Sequence, residues 1–161
     1  MRIDSLGSDE FLRMRAIRLR ALLDWPDAFG RTHAEEEAKS DQFWIDRLTG
    51  NASVCFLAQQ GDRDVGIVHG AADRDQEGVA GLFGMWVAPE ARGRGFGDAL
   101  VQRVIDWAIG ERYQRLLLHV ADENPHAIAL YARMGFEPTG ASGTLPPPRD
   151  HVTEHERGLQ L

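Results

Sequence analysis

The chain contains a single lysine, a single cysteine and no apolar run long enough to span a membrane. Of its 18 basic residues only Lys39 is lysine; the rest are arginines. Lys39 lies between Ala38 and Ser40, so the Gly-Lys pair of a phosphate-gripping Walker loop is missing. Its polar, charge-dense surroundings also lack the apolar contacts that would favour a neutral amine for Schiff-base chemistry. Cys55 has no partner for an internal disulfide, and Val54, Phe56 and Leu57 around it predict a buried, inert thiol. Asp4 and Asp9 interrupt any signal-peptide core, so a cytoplasmic protein without a membrane segment is expected.

The 161 residues suit one domain, expected over 1–161, and a hydrophobic fraction of 43% with 27% charged residues is globular. A net charge of −7 argues against non-specific nucleic-acid binding, which depends on neutralising phosphates. That average says little about any one pocket.

Ser8, Asp9 and Glu10 predict a helix start, and Phe11, Met14, Ile17 and Ala21 recur at helical spacing until Pro26. Residues 31–39 are polar. Ser40 and Asp41 restart a short helix through Phe43, Trp44 and Leu48, stopped by Gly50. Strands are predicted over 53–59, 64–71 and 79–87. Leu100, Val101, Val104, Ile105 and Ala108 form a helical stripe ended by Gly110, and 115–120 is an apolar strand. Asn124 is a good N-cap, Pro125 suits the first helical position, and Gly135 suits the position after the last turn. Residues 136–139 predict a strand that Pro138 confines to an edge or bulge. A Gly/Pro-rich loop over 140–150 then leads to a last strand over 152–161. Neighbouring strands in the middle of the chain indicate a mixed sheet.

Between the strand at 79–87 and the helix of Leu100 lies Arg92-Gly93-Arg94-Gly95-Phe96-Gly97. Alternate glycines let the backbone turn tightly at a helix N-terminus, where amides and the macrodipole favour an anion such as a pyrophosphate. A dinucleotide fold would place the third glycine one residue later and an acid after the next strand. Neither is present.

These residues resemble the GNAT superfamily of acetyl-CoA-dependent N-acetyltransferases. Its cofactor motif, Arg/Gln-x-x-Gly-x-Gly/Ala, is met by Arg92 to Gly97, after Met85-Trp86-Val87-Ala88-Pro89. A second motif is met by Asn124, Ala127, Leu130, Tyr131, Gly135 and Phe136. The resemblance covers essentially the whole chain. It implies an α/β (α+β) single-domain fold: a mixed, mostly antiparallel twisted sheet of six to seven strands, about four helices, and a splay at the cofactor cleft.

The resemblance also implies roles. Main-chain amides from Arg92, Gly93, Arg94, Gly95, Phe96, Gly97 and Asp98 would bind the pyrophosphate of CoA, with Arg92 and Arg94 adding charge. Met85, Trp86 and Val87 would pair with the pantetheine arm, one of their amides polarising the acetyl carbonyl. Asn124 and Ala127 would meet the arm at the next helix, and Tyr131 would be the general acid that protonates the CoA thiolate. The strand glutamate that serves many relatives as base is absent, since 81–85 reads Gly-Leu-Phe-Gly-Met. Asp73, Asp75, Glu77, His69 and His119 are the candidates, with His119 ranked first and a water chain equally open.

No metal is expected. His151 and His155, with Glu154 and Glu156, have helical ligand spacing but fall on a strand, where four residues span about 13 Å. The acceptor pocket is expected from Trp25, Phe29, Thr32, His33, Glu35 and Glu36 together with the 140–150 loop. Glu35, Glu36 and Glu37 form either a landing site for a cationic acceptor or a solvated helix face. The implied activity is acetyl transfer from acetyl-CoA to a primary amine of a small molecule or peptide by direct attack, in a homodimer. The alternative is an acyl-CoA-binding sensor or assembly module without turnover, and transfer of a longer acyl group, or to a hydroxyl, stays open.

Overall fold

A computed structural model describes residues 1–50 and 52–161. Its elements in chain order are β1 (Arg2–Ser5), α1 (Phe11–Asp24), α2 (His33–Glu37), α3 (Asp41–Asp46), β2 (Ser53–Gln60), β3 (Arg63–Ala72), β4 (Val79–Val87), α4 (Phe96–Gly110), β5 (Arg115–Ala121), α5 (Pro125–Arg133), β6 (Glu137–Thr144) and β7 (Thr153–Gln160). Seven strands form one sheet in the order β1-β2-β3-β4-β5-β7-β6. Every pairing is antiparallel except β4 with β5. The mixed sheet expected from the sequence is therefore observed, with five described helices instead of four.

Each face of the sheet is covered by one long helix. Leu100, Val101, Val104, Ile105 and Ala108 of α4 are buried, and Gly66 and Gly70 of β3 lie beneath Leu100 and Trp107 with no room for a side chain. Fully burying one such aliphatic residue stabilises by about 1.5–3 kcal/mol, far above the tenths that helix propensity offers. Packing is what holds α4. On the opposite face α1 buries Met14, Ile17, Ala21 and Leu22, and Asp24 at its end receives the indole N–H of Trp86 at 2.9 Å.

Three features of the structure were not foreseen in the sequence. Residues 2–5 form an edge strand on β2, which four residues are too short to reveal by alternation. The 140–150 loop is half strand: β6 continues to Thr144, so only 145–152 connects it to β7. Pro138 does lie on the sheet edge, as the missing N–H requires. The third feature concerns the acidic run at Glu35–Glu37. Thr32 caps α2 through its side chain, and that turn directs Glu36 inward while Glu35 and Glu37 face solvent.

Glu36 is 0% exposed and lies between two arginines. Arg18 donates from Nε at 2.9 Å and Arg47 from Nη1 at 3.0 Å. A buried carboxylate is tolerable only because cations compensate it.

The pairing of β4 shapes the centre of the molecule. It meets β5 only at Val79, Ala80 and Gly81, opposite Arg115, Leu116 and Leu117, and the two strands part beyond that point. On the β3 side Ile67 faces Trp86 and His69 faces Phe83, so Gly84 and Met85 together stand against Val68. This is a β-bulge whose first residue, Gly84, has a φ of +64°. A Cβ there would lie 2.7 Å from Cδ2 of His69, so glycine is required twice over.

Two outcomes follow from this packing. Glu36→Ala strands Arg18 and should cost about 3–5 kcal/mol, read by urea unfolding. Gly84→Ala should lose at least the about 1–2 kcal/mol that a Cβ costs in the left-handed region, read by the same assay.

Candidate functional site

Where β4 and β5 part, the sheet opens into a cleft of about 230 Å³. One wall is Leu82 to Met85 of β4, the other is His119 to Ala121 of β5. Asn124, Ala127 and Tyr131 of α5 line one side, and Arg18 with Ala28 to Gly30 closes the other. The bulge at Gly84–Met85 falls on this wall, and bulges re-aim backbone groups that would otherwise join a ladder.

The glycine loop lies at the end of β4. Gly93 and Gly95 have φ of +74° and +85°, and Gly95 caps α4 without any side-chain hydrogen bond. Successive amides in this geometry form an anion-binding nest at a helix N-terminus. Gly97 lets α4 approach closely: a Cβ would stand 3.2 Å from Leu130 and 3.3 Å from Met85. The two arginines of the loop differ. Arg92 is tied to Asp24 at 2.6 Å and to the Val87 carbonyl at 2.9 Å, so its charge is offset. Arg94 is exposed and makes no ion pair among the described residues. Asp98, in the first turn of α4, pairs with Arg133 of α5 at 2.7 Å, which holds its carboxyl below the usual range and ties the two helices together.

On α5 the Asn124 side-chain oxygen accepts from the Ala127 amide at 3.1 Å. Its NH₂ is left for another partner. Tyr131 is 5% exposed, edge-on to Phe136, and burial raises its phenol above the ordinary value, so it is protonated at neutral pH. His119 is 57% exposed in its side chain, with Nε2 3.5 Å from Glu156 Oε2, and Glu156 accepts from Thr139 at 2.7 Å.

The other base candidates separate clearly. His69 is fully buried, stacked on Phe83 at 5.3 Å, and held neutral because burial and then the charges of Arg47 and Arg18 lower its pKa well below 6.5. Asp73, Asp75 and Glu77 belong to the turn before β4 and do not line the cleft. His155 pairs with Asp122 at 2.7 Å, across from the strand partner Val120.

Of the sequence-predicted residues, Met85, Asn124, Ala127, Tyr131 and His119 meet in one cleft, with the 92–97 loop at the end of β4. Trp86 does not: its indole packs toward α1 and Asp24. Phe29 joins the cleft, whereas Trp25, Thr32, His33, Glu35 and Glu36 do not line it. Gly84 and Arg18 were missed, and Glu154, considered only for a metal, also lines the cleft. A glycine inside an apolar strand run was a readable signal for the bulge. Arg18 gave none, because an arginine on an amphipathic helix reads as a solvated residue.

The Acetyltransferase (GNAT) family model matches residues 17–136. A mycothiol acetyltransferase of Geodermatophilus obscurus is 29% identical over 134 residues, covering 81% of this chain and 42% of that protein. Human N-acetyltransferase 8 is 33% identical over 99 residues, covering 59% of this chain and 43% of that protein. The chain thus spans under half the length of these curated relatives. Among solved structures, a ribosomal-protein-alanine N-acetyltransferase from Brucella melitensis superposes with a TM-score of 0.82 over the full length of both chains at 20% identity. YncA from Salmonella typhimurium, solved with its cofactor acetyl-CoA, superposes with a TM-score of 0.80 over 100% of this chain and 94% of that one at 18% identity. With three-quarters of its length under the family model and the fold reproduced end to end, this chain belongs to the GNAT family of acetyltransferases.

Proposed function

We propose that this chain transfers an acetyl group from acetyl-CoA to a primary amine of a small molecule or peptide. One observation carries the reading: an uncapped glycine nest at α4 stands at the end of the strand whose splay forms a cleft, and that cleft holds a buried, protonated tyrosine.

The residues present fit the co-substrate. Amides from Gly93 to Asp98, with the exposed Arg94, suit the pyrophosphate, while the Arg92 side chain braces Asp24 beside the loop. The edge of β4 from Met85 to Val87 offers its backbone to an amide-bearing arm, and the Asn124 NH₂ can donate to the same arm. When bound, acetyl-CoA supplies an activated acetyl thioester. The Met85 N–H at the bulge is a donor for negative charge developing on an oxygen. His119, whose Nε2–H faces Glu156, accepts a proton from the incoming amine at its other ring nitrogen, Nδ1. The Tyr131 hydroxyl donates its proton to the departing sulfur. This division of labour requires a tyrosine that stays protonated and a base in contact with solvent, and burial sorts the two residues that way. The reading includes a cytoplasmic homodimer, on the strength of the family resemblance.

Acetyl-CoA should raise the melting temperature, as any ligand of the native state does. Thiol release across an amine panel should identify at least one acceptor. Tyr131→Phe should keep the thermal shift and lower turnover about 100-fold or more. Unchanged turnover in that variant overturns the acid role, and CoA binding without release for any amine turns the chain into a binding module. Light scattering should return twice the chain mass.

A further inference from the structure

The end of the cleft away from α5 is closed by a cation. Arg18 is 6% exposed and lines the cleft, with its guanidinium 4.5 Å from the centre of the Phe29 ring. Its Nε is committed to Glu36, but its Nη1 is buried and has no hydrogen-bond partner among the described residues. A buried charged donor left unmet is costly and uncommon in a native site. The bare α-carbon of Gly84 lies beside it, since a Cβ there would stand 3.3 Å from that Nη1.

The charge around this point is positive. Glu36 is shared by Arg18 and Arg47, so the three residues together carry one net positive charge. Arg47 and Arg31 add to the positive potential felt at Arg18. Across the cleft stand Glu154 and His119 on β7 and β5. The cavity therefore has a cationic end and an anionic wall, with Leu82, Phe83 and Phe29 supplying apolar surface between them.

Resting on the acetyl-transfer reading above, we propose that the acceptor is a small α-amino acid with an apolar side chain. Its carboxylate takes the free Nη1 of Arg18, its amine lies toward Glu154 and His119, and its side chain packs against Phe83. This reverses the cation-landing role considered for Glu35–Glu37: the buried Glu36 serves to hold Arg18 in place. Arg149, which donates to the carbonyls of Pro26, Phe29 and Gly30 at 2.6, 2.6 and 2.9 Å, fixes the loop that carries Phe29.

The test compares L-phenylalanine, L-methionine and L-leucine, each with its decarboxylated amine and its carboxamide, as acceptors for acetyl-CoA. The acid should exceed the amine and the carboxamide in kcat/KM by about 10- to 100-fold, the worth of a charge-assisted hydrogen bond. Arg18→Met preserves the apolar contact with Phe29 and leaves Glu36 paired with Arg47 alone; it should be less stable than the parent chain, and a retained CoA-induced rise in melting temperature shows that it is folded. In that variant the acid-to-amine ratio should fall to about one, through KM. Arg20→Met, an exposed arginine on the same helix that pairs with Glu90, should leave the ratio unchanged. An acid no better than its amine or carboxamide, or a ratio that survives Arg18→Met, overturns the proposal. If no acceptor turns over while CoA still binds, the acetyl-transfer reading fails by itself. The amino acids must then raise the melting temperature of the CoA-loaded protein in an Arg18-dependent way, and absence of that shift overturns the proposal as well.

Discussion

Three residue pairs hold β4 to β5, and the rest of the molecule is arranged around the point where that pairing stops. A parallel pair needs a crossover, which α4 supplies, so the N-terminus of α4 is carried to the end of β4 beside the opening. The chain then leaves β5 directly into α5, whose cap Asn124 and buried Tyr131 are set along the same gap. The bulge at Gly84–Met85 shifts β4 against β3 where β4 has already left β5. A continuous ladder between β4 and β5 would bury these backbone groups in hydrogen bonds and leave no cleft.

The two ends of the cleft are stabilised by different physics. At the α4 end, charge is handled by backbone dipoles: two left-handed glycines and an uncapped helix start, with side chains largely occupied elsewhere. Arg92 braces Asp24, and Asp98 clasps Arg133, so both act on the loop's position. At the α1 end, charge is carried by side chains out of water. Arg18, Glu36 and Arg47 persist there because each compensates another, and removing one partner leaves a buried ion exposed to the full desolvation cost. A protein of net charge −7 accordingly holds an electropositive patch at each end of its central cleft.

Burial also decides how the titratable groups can work. His69 and Tyr131 are both enclosed, and enclosure keeps each in its neutral form. For the tyrosine that means a retained proton. For the histidine it means exclusion from exchange with solvent. His119 is half open and faces Glu156 across the β5–β7 pair, the one histidine of the cleft placed to exchange a proton with bulk water.

Much of this was legible in the residues alone. Local rules determined the start of α5 at Asn124–Pro125, the glycine loop, the apolar stripe of α4 and the mixed character of the sheet, because caps, turns and periodicity act over a few residues. The four-residue β1 and the continuation of β6 through Gly140 and Gly143 were not readable, since strand identity there comes from a partner distant in sequence. The same limit applied to Glu36 and Arg18: a charged residue on a short or amphipathic helix looks solvated until another element covers it. Chemistry that depends on neighbours in the chain was thus determined by the sequence. The splay of β4 from β5, the burial of Glu36 and the unmet Nη1 of Arg18 were decided only when residues far apart were brought together, because the cost of removing a charge from water is set by everything packed around it.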